Sequence, residues 1–370
     1  MVKRNRIYSI DVVRGTAVFL GMIMSNPGTY NLPTAFVHAW WHGIHLIDYS
    51  LPLFVMAMCM VIPLIFEKDR VRAPEKFLVR IIRRSVLLFL LGLLLNFTPE
   101  FNFSTLRVLG VLQRLALVYF AVNIYILVLR HYAHQKQMMM LLLGSALLLS
   151  ILYMIAVHPW GYEVETNIIR RIDLKILTED HMYEMQSFDP EGIFSTLGAI
   201  ASGLFGSVMG YLLIDKTKTQ RTKLITMLIL GTTLLLISFI TGIWVPINKK
   251  MWTGTFIFNT AGCITLYTAL CFYLCDMKLI RKPFRFLTSM SSNALFIYVT
   301  RQYIIKLIWP IEVYYPPMDQ LVTLPAYITY RFFKPLVGTT FEGVGFGFIY
   351  ALIWVQIAKF MHKKNLFIRL

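Results

Sequence analysis

LIDYSLPLFVMAMCMVIPLIF, residues 46–66, carries a single charge, Asp48. A helix needs about 20 predominantly apolar residues to cross the hydrocarbon of a bilayer. Similar runs recur at 7–26, 78–97, 108–129, 138–157, 193–214, 224–243, 254–275, 287–308 and 341–361. Together they predict an all-α, polytopic membrane helix bundle of about ten spans. Composition agrees: 57% of the 370 residues are hydrophobic and 15% are charged, where a soluble domain carries about 25% charged residues. No low-complexity tract or internal repeat divides the chain, so 1–370 reads as one transmembrane domain. The first run contains Asp11 and Arg14 and lacks a small-residue cleavage site, so it reads as a retained helix.

The net charge of +17 suggests nucleic acid until its placement is read. Lys and Arg gather in alternate short loops: Lys3, Arg4 and Arg6; Lys68 to Arg84; Arg130 and Lys136; Lys216 to Lys223; Lys278 to Arg285; Lys359 to Arg369. That is the pattern of cytoplasmic loops, and it places both termini in the cytoplasm and excludes a nucleic-acid partner. The intervening loops are poor in cations. Residues 27–45 have no Lys or Arg, 98–107 have only Arg107, and 158–192 are acidic. Two N-x-[ST] triplets, at Asn96 and Asn102, fall on this outer side. Residues 309–340, rich in proline and aromatics, read as an interfacial segment or cap. Cys59, Cys263, Cys271 and Cys275 sit in apolar runs without a CxxC pair and read as packing residues.

Ionisable groups inside spans cost about 3 kcal/mol or more near the bilayer centre, which makes them functional candidates. Asp11 and Arg14 lie three apart on one helix face and either pair or serve a site. Gln113 and Arg114 lie near the start of the fourth run. Asn293, Tyr298, Thr300, Arg301 and Lys306 follow along the ninth, where they line a wet cavity or, for Lys306, snorkel to the surface. The outer mouth of the second run holds His38, His42, His45 and Asp48, a cluster of proton-transfer groups. Asp48 either orients a histidine or caps its helix, and His42 and His45 share a helical face with Asp48 or Tyr49. The spacing matches no zinc motif, so no metal is expected. Asp189 and Glu191, ending the acidic loop, and Asn248, Lys249 and Trp252, in a short outer loop, are further polar signals. Asp189 also reads as an N-cap of the sixth run.

These segments resemble, in order along nearly the whole chain, the heparan-α-glucosaminide N-acetyltransferase family in its shorter bacterial form, without the lumenal N-terminal region of eukaryotic members. Ser9-Ile10-Asp11-Val12-Val13-Arg14-Gly15 looks like its S-x-D-x-x-R-G start. Asn26 and Gly28 look like its asparagine and glycine-bearing loop. His38-Ala39-Trp40-Trp41-His42-Gly43 through Asp48 and Pro52-Leu53-Phe54 looks like its H-A-x-W-x-G…D…P-x-F block. Arg107 to Arg114 resembles its R-x-x-G-V-L-Q-R segment. Asp189-Pro190-Glu191-Gly192, Pro246-Ile247-Asn248-Lys249 with Trp252-Thr253, and Ser292-Asn293-Ala294-Leu295 with Tyr298 also match. His42 stands where the family often has asparagine, which bears on acceptor contacts.

The resemblance implies transfer of acetyl from acetyl-CoA to the amine of a terminal glucosamine on the non-cytoplasmic side. It makes His38 the catalytic histidine, puts Asn26 near the acetyl group and has Asp48 support the site. On this reading His38 is the base, Asn26 supplies an oxyanion donor and Asp48 fixes the histidine tautomer. Arg14, Arg114 and Arg301, with Gln113 and Asn293, would hold the coenzyme. His42, His45, Asp189, Glu191, Asn248, Lys249 and Trp252 would face the acceptor. Direct transfer is favoured over an acetyl-histidine intermediate. Two other classes stand beside it: a membrane O-acyltransferase acting on a glycan, and a transporter of sugars or organic anions. The expected setting is a bacterial inner membrane, with pairing of two copies an expectation that no residue here argues.

Overall fold

A computed structural model describes residues 7–25, 28–29, 31–68, 74–133, 135–185 and 187–368. Helix α1 spans Tyr8–Ser25. After a 3-10 turn at Leu46–Tyr49 come α2, Ser50–Met60, and α3, Ile62–Lys68, which continue one another. Pro63 brings no N–H to the ladder, and the helix is interrupted at Val61. Then follow α4 (Pro74–Phe97), α5 (Val111–Tyr132), α6 (Gln135–Val157), the short helix α7 (Ile168–Leu177), α8 (Thr196–Ile214), α9 (Gln220–Thr241) and α10 (Gly254–Phe272). The last third holds α11 (Arg285–Ser292), α12 (Ala294–Ile308), the strands β1 (Glu312–Tyr315) and β2 (Gln320–Thr323), α13 (Leu324–Ile328) and α14 (Lys334–Lys363). The proline-rich segment expected as a cap therefore contains an antiparallel hairpin, with Val313 opposite Val322.

Among the described residues, seven helices are long and apolar enough to cross a membrane: Leu46–Glu67, Val111–Tyr132, Gln137–Trp160, Thr196–Ile214, Gln220–Thr241, Gly254–Met277 and Leu324–Lys363. The fold is an all-α membrane bundle. The other three expected runs form helices too, each with a visible departure. The first carries Asp11 and Arg14; the third carries Arg80, Arg83 and Arg84; the ninth is broken at Asn293 into α11 and α12.

Helix α8 is the most enclosed of the seven, and its small residues explain how. A Cβ on Gly206 would lie 2.4 Å from the Met56 carbonyl oxygen, and one on Gly210 would lie 2.4 Å from that of Met60. The backbones of α2 and α8 touch there, in the small-residue packing that membrane helices use in place of a hydrophobic drive. Gly15 does the same for α1, since its Cβ would meet the Leu287 carbonyl oxygen at 2.0 Å. The glycine of the S-x-D-x-x-R-G segment is thus explained by the α1–α11 contact.

Contacts between loops sort the bundle ends. The backbone of Gly43 bridges to Asn248, Trp41 Nε1 donates to the Tyr162 carbonyl at 2.7 Å, and Val108 N donates to His181 O at 3.1 Å. The cation-poor loops thus meet at one end. At the other, Asp276 caps α1 by accepting from Tyr8 N at 2.8 Å and Ser9 N at 2.9 Å, and Arg281 lies over the Tyr8 ring. Lys3, Arg4, Arg6, Arg70, Arg72 and Arg369 fall outside the described residues.

Candidate active site

The centre is built by two loops. One runs from Asn31 to His45 and delivers His38; the other is the 242–253 turn before α10. Asp48, fully buried, sits in the 3-10 turn that opens α2. Its Oδ2 accepts from His45 N at 2.9 Å and Ala39 N at 3.4 Å, which closes the loop onto the helix start. Its Oδ1 lies 2.6 Å from His38 Nδ1. The carboxylate thus both caps and orients. A carboxylate has only lone pairs to offer, so His38 Nδ1–H donates, and in the neutral imidazole the lone pair is then on Nε2.

The second loop brings a cation. Asn248 Oδ1 accepts from Met251 N at 2.8 Å, and Thr253 N donates to Asn248 O at 3.1 Å. This tight turn holds Trp252 at φ +54°, a left-handed conformation uncommon for a bulky residue. It projects the Lys249 ammonium to 3.2 Å from Asp48 Oδ1 and 2.9 Å from His38 Nδ1. Burial pulls the Lys249 pKa below its ordinary value, against the opposing pull of Asp48 and Glu191. His38 itself is half exposed, its side chain at 48%.

Of the other histidines, His45 turns its ring to the Val37 carbonyl at 2.7 Å and braces the loop. His42 lies between Asn248 Nδ2, 3.4 Å away, and Glu163, 3.6 Å away. Only the 3-10 turn 46–49 precedes α2, so His42 and His45 share no helical face with Asp48 or Tyr49; both stay in the loop. Among the described residues no cluster of metal-ligating side chains occurs.

Next to this centre Arg107 clamps two carboxylates. Its Nε and Nη2 reach Asp189 at 2.9 and 2.7 Å, and Nη2 reaches Glu191 at 2.6 Å. Burial works against the Arg107 charge, yet Glu191 and Asp189 together hold its pKa above the ordinary value. Burial alone would raise Glu191, and Arg107 with Arg114 outweighs it and holds that carboxyl below its usual range. Asp189 does not cap α8, whose N-cap is Ser195; it accepts instead from Glu191 N and Arg107.

The buried Arg114 donates to Ser195 Oγ and to Gly192 O, 3.3 Å away, and lies 5.0 Å from the Trp252 ring. Its Nε and Nη1 find no acceptor among the described residues. Trp252 Nε1 donates to Ser202 Oγ at 3.0 Å. The expected coenzyme ligands make different contacts. Arg114 belongs with Trp252, 5.0 Å from its ring. Gln113 is buried against Gly92 of α4. Asn293 bonds Leu366 O and Ile368 N at 2.9 Å each and ties down the C-terminal segment. Arg301 is buried over the Tyr298 ring, 4.9 Å from its centroid. Asn26 lies outside the described residues.

Arg14 lines a partly open cavity with Arg84, Tyr119 and a mostly apolar wall from Phe54 to Ile65. The Arg84 guanidinium lies 5.0 Å from the Tyr119 ring, and its Nε finds no acceptor among the described residues. At 1.5 Å per residue the wall from Phe54 to Ile65 is about 16 Å long, and Phe54 lies about 9 Å along the helix from Asp48. In the sequence Arg84 belongs to a run of cations; packing turns it toward the cavity.

Two curated proteins resemble the chain. Both carry the name heparan-alpha-glucosaminide N-acetyltransferase. The Homo sapiens protein is 27% identical over 330 residues, covering 74% of this chain and 49% of its own length. The Mus musculus protein is 24% identical over 98% of this chain and 60% of its own length. The chain thus spans about half to three-fifths of these relatives. No family model matches it.

Proposed function

We propose that this protein moves an acetyl group from acetyl-CoA to the amine of a terminal glucosamine or related amino sugar, at the outer end of the bundle. The observation that carries this is the 2.6 Å contact between His38 Nδ1 and the buried Asp48 carboxylate. It leaves Nε2 of a half-exposed imidazole as a proton acceptor, which an amine needs before it can attack a thioester. The names of the two relatives support the same reaction class.

The cavity lined by Arg14 and Arg84 suits the anionic, elongated coenzyme. Two guanidiniums meet phosphate, and the wall along α2 points the thioester arm toward Asp48. Gln113, Arg301 and Asn293 are less direct contributors, through the packing described above. Asn26 is the proposed oxyanion donor. His42, Asn248, Glu191, Asp189 and Trp252 frame the acceptor side, with His45 bracing the loop. Transfer is direct, in a ternary complex. The chain crosses a bacterial inner membrane ten times, with both termini in the cytoplasm.

Adding a panel of amino sugars to purified protein and acetyl-CoA tests the reading. Coenzyme thiol should appear only with an amine acceptor, and the product should carry an amide by mass spectrometry. An ester product would move the assignment to O-acylation, and sugar uptake into vesicles without thiol release would move it to transport.

A further inference from the structure

We propose that Lys249 is an acetylation site of the chain itself: with no amino sugar bound, its Nζ accepts the acetyl group through the same base. The inference rests on the reading above and extends it. A sugar amine must come within hydrogen-bonding reach of His38 to lose its proton. The Lys249 amine is already beside the ring: Nδ1, 2.9 Å away, holds the proton given to Asp48, and Nε2, the nitrogen free to accept, is 3.5 Å away. The turn held by Asn248 and Thr253 fixes it in that place, and its side chain is only 16% exposed. The charged groups around it are Asp48 at 3.2 Å, Glu191 and Arg114 from the α5–α8 side, and His38. Burial biases it toward the free amine, while Asp48 favours the ammonium.

The step balances without any further reagent. The ammonium first gives a proton to His38 Nε2, the nitrogen that the Asp48 contact leaves open. The Nζ lone pair then attacks the thioester carbonyl, the C–N bond forms and the C–S bond breaks. Coenzyme leaves as thiolate and takes up the proton held by the imidazole, and the amide nitrogen releases its second proton to water. The products are Nζ-acetyl-lysine and coenzyme thiol. The cation beside Asp48 is then lost, and an amide sits where the sugar amine must approach, so the modified chain is blocked. The same chemistry bears on the transfer route: acetyl label retained without acceptor is a stable amide on Lys249, whereas an acyl-imidazole on His38 would be lost to water.

The adjacent Lys250, whose ammonium lies 5.8 Å from the Trp41 ring, serves as an internal control. Full-length wild-type protein is incubated with acetyl-CoA and no sugar, and the peptide spanning 247–253 is sequenced by tandem mass spectrometry. Acetyl is expected on Lys249 at least about tenfold above Lys250, because a positioned amine outruns a free one. Glucosamine should suppress it, and His38→Ala should abolish it. An unmodified Lys249, equal labelling of both lysines, or labelling that survives His38→Ala would each overturn the proposal. If glucosamine is acetylated and Lys249 is not, the inference fails and the proposed function stands. If neither is acetylated, the proposed function fails as well.

Discussion

His38 Nδ1 and Asp48 Oδ1 lie 2.6 Å apart, and the same carboxylate caps the turn that opens the second membrane helix. One side chain therefore sets the loop and the imidazole tautomer together. Asp48→Asn keeps the shape and an acceptor oxygen but removes the charge. Turnover is expected to fall by about 10²- to 10⁴-fold, the scale seen when a base loses its orienting carboxylate. Steady-state kinetics with acetyl-CoA and glucosamine checks this; a loss below fivefold, about 1 kcal/mol, would show that the contact serves folding alone.

The basic cavity gives a separable prediction. Arg84→Gln should raise KM for acetyl-CoA by about tenfold or more, the worth of one charge-assisted hydrogen bond, and leave KM for the amino sugar unchanged. A change confined to the sugar would place the coenzyme elsewhere.

Asp173 supplies a pH signature. Burial pushes its carboxyl up to about 6, against the N–H donors of Phe194 and Ile193. An unfolded aspartate titrates at about 3.9. Between those values the folded chain holds a proton that the unfolded chain has released, so stability falls as pH rises through the window. The contribution is complete below about pH 4 and gone above about pH 6. Glu191, held low by Arg107 and Arg114 against burial, works in the opposite sense and only at more acid pH. Thermal unfolding of Asp173→Asn in detergent should show a flatter dependence between about pH 4 and 6. An unchanged slope would mean that another group titrates there.

Much of the bundle was legible in the sequence because a bilayer permits few solutions for an apolar run of that length. The charged runs at α1 and α4 and the ninth run were legible as helices with their charges, while the break of the ninth at Asn293 was not. The His38–Asp48 pair was legible too, since ten residues separate a loop histidine from the carboxylate at the helix start. Lys249 was legible as a polar residue of an outer loop, but its approach to His38 across 211 positions is made by the Gly43–Asn248 bridge. Arg84 and Arg114 show the same limit. Both read as cations near helix ends, and which way each guanidinium turned depended on Tyr119 and Trp252.

The most direct measurement is coenzyme thiol release by purified wild type and His38→Ala, each given acetyl-CoA and glucosamine. The account predicts amine-dependent release and an N-acetyl product from wild type, with His38→Ala slower by about 10³-fold or more, in line with loss of a catalytic base. Equal release by both proteins, or none by wild type across amino sugars, would contradict it.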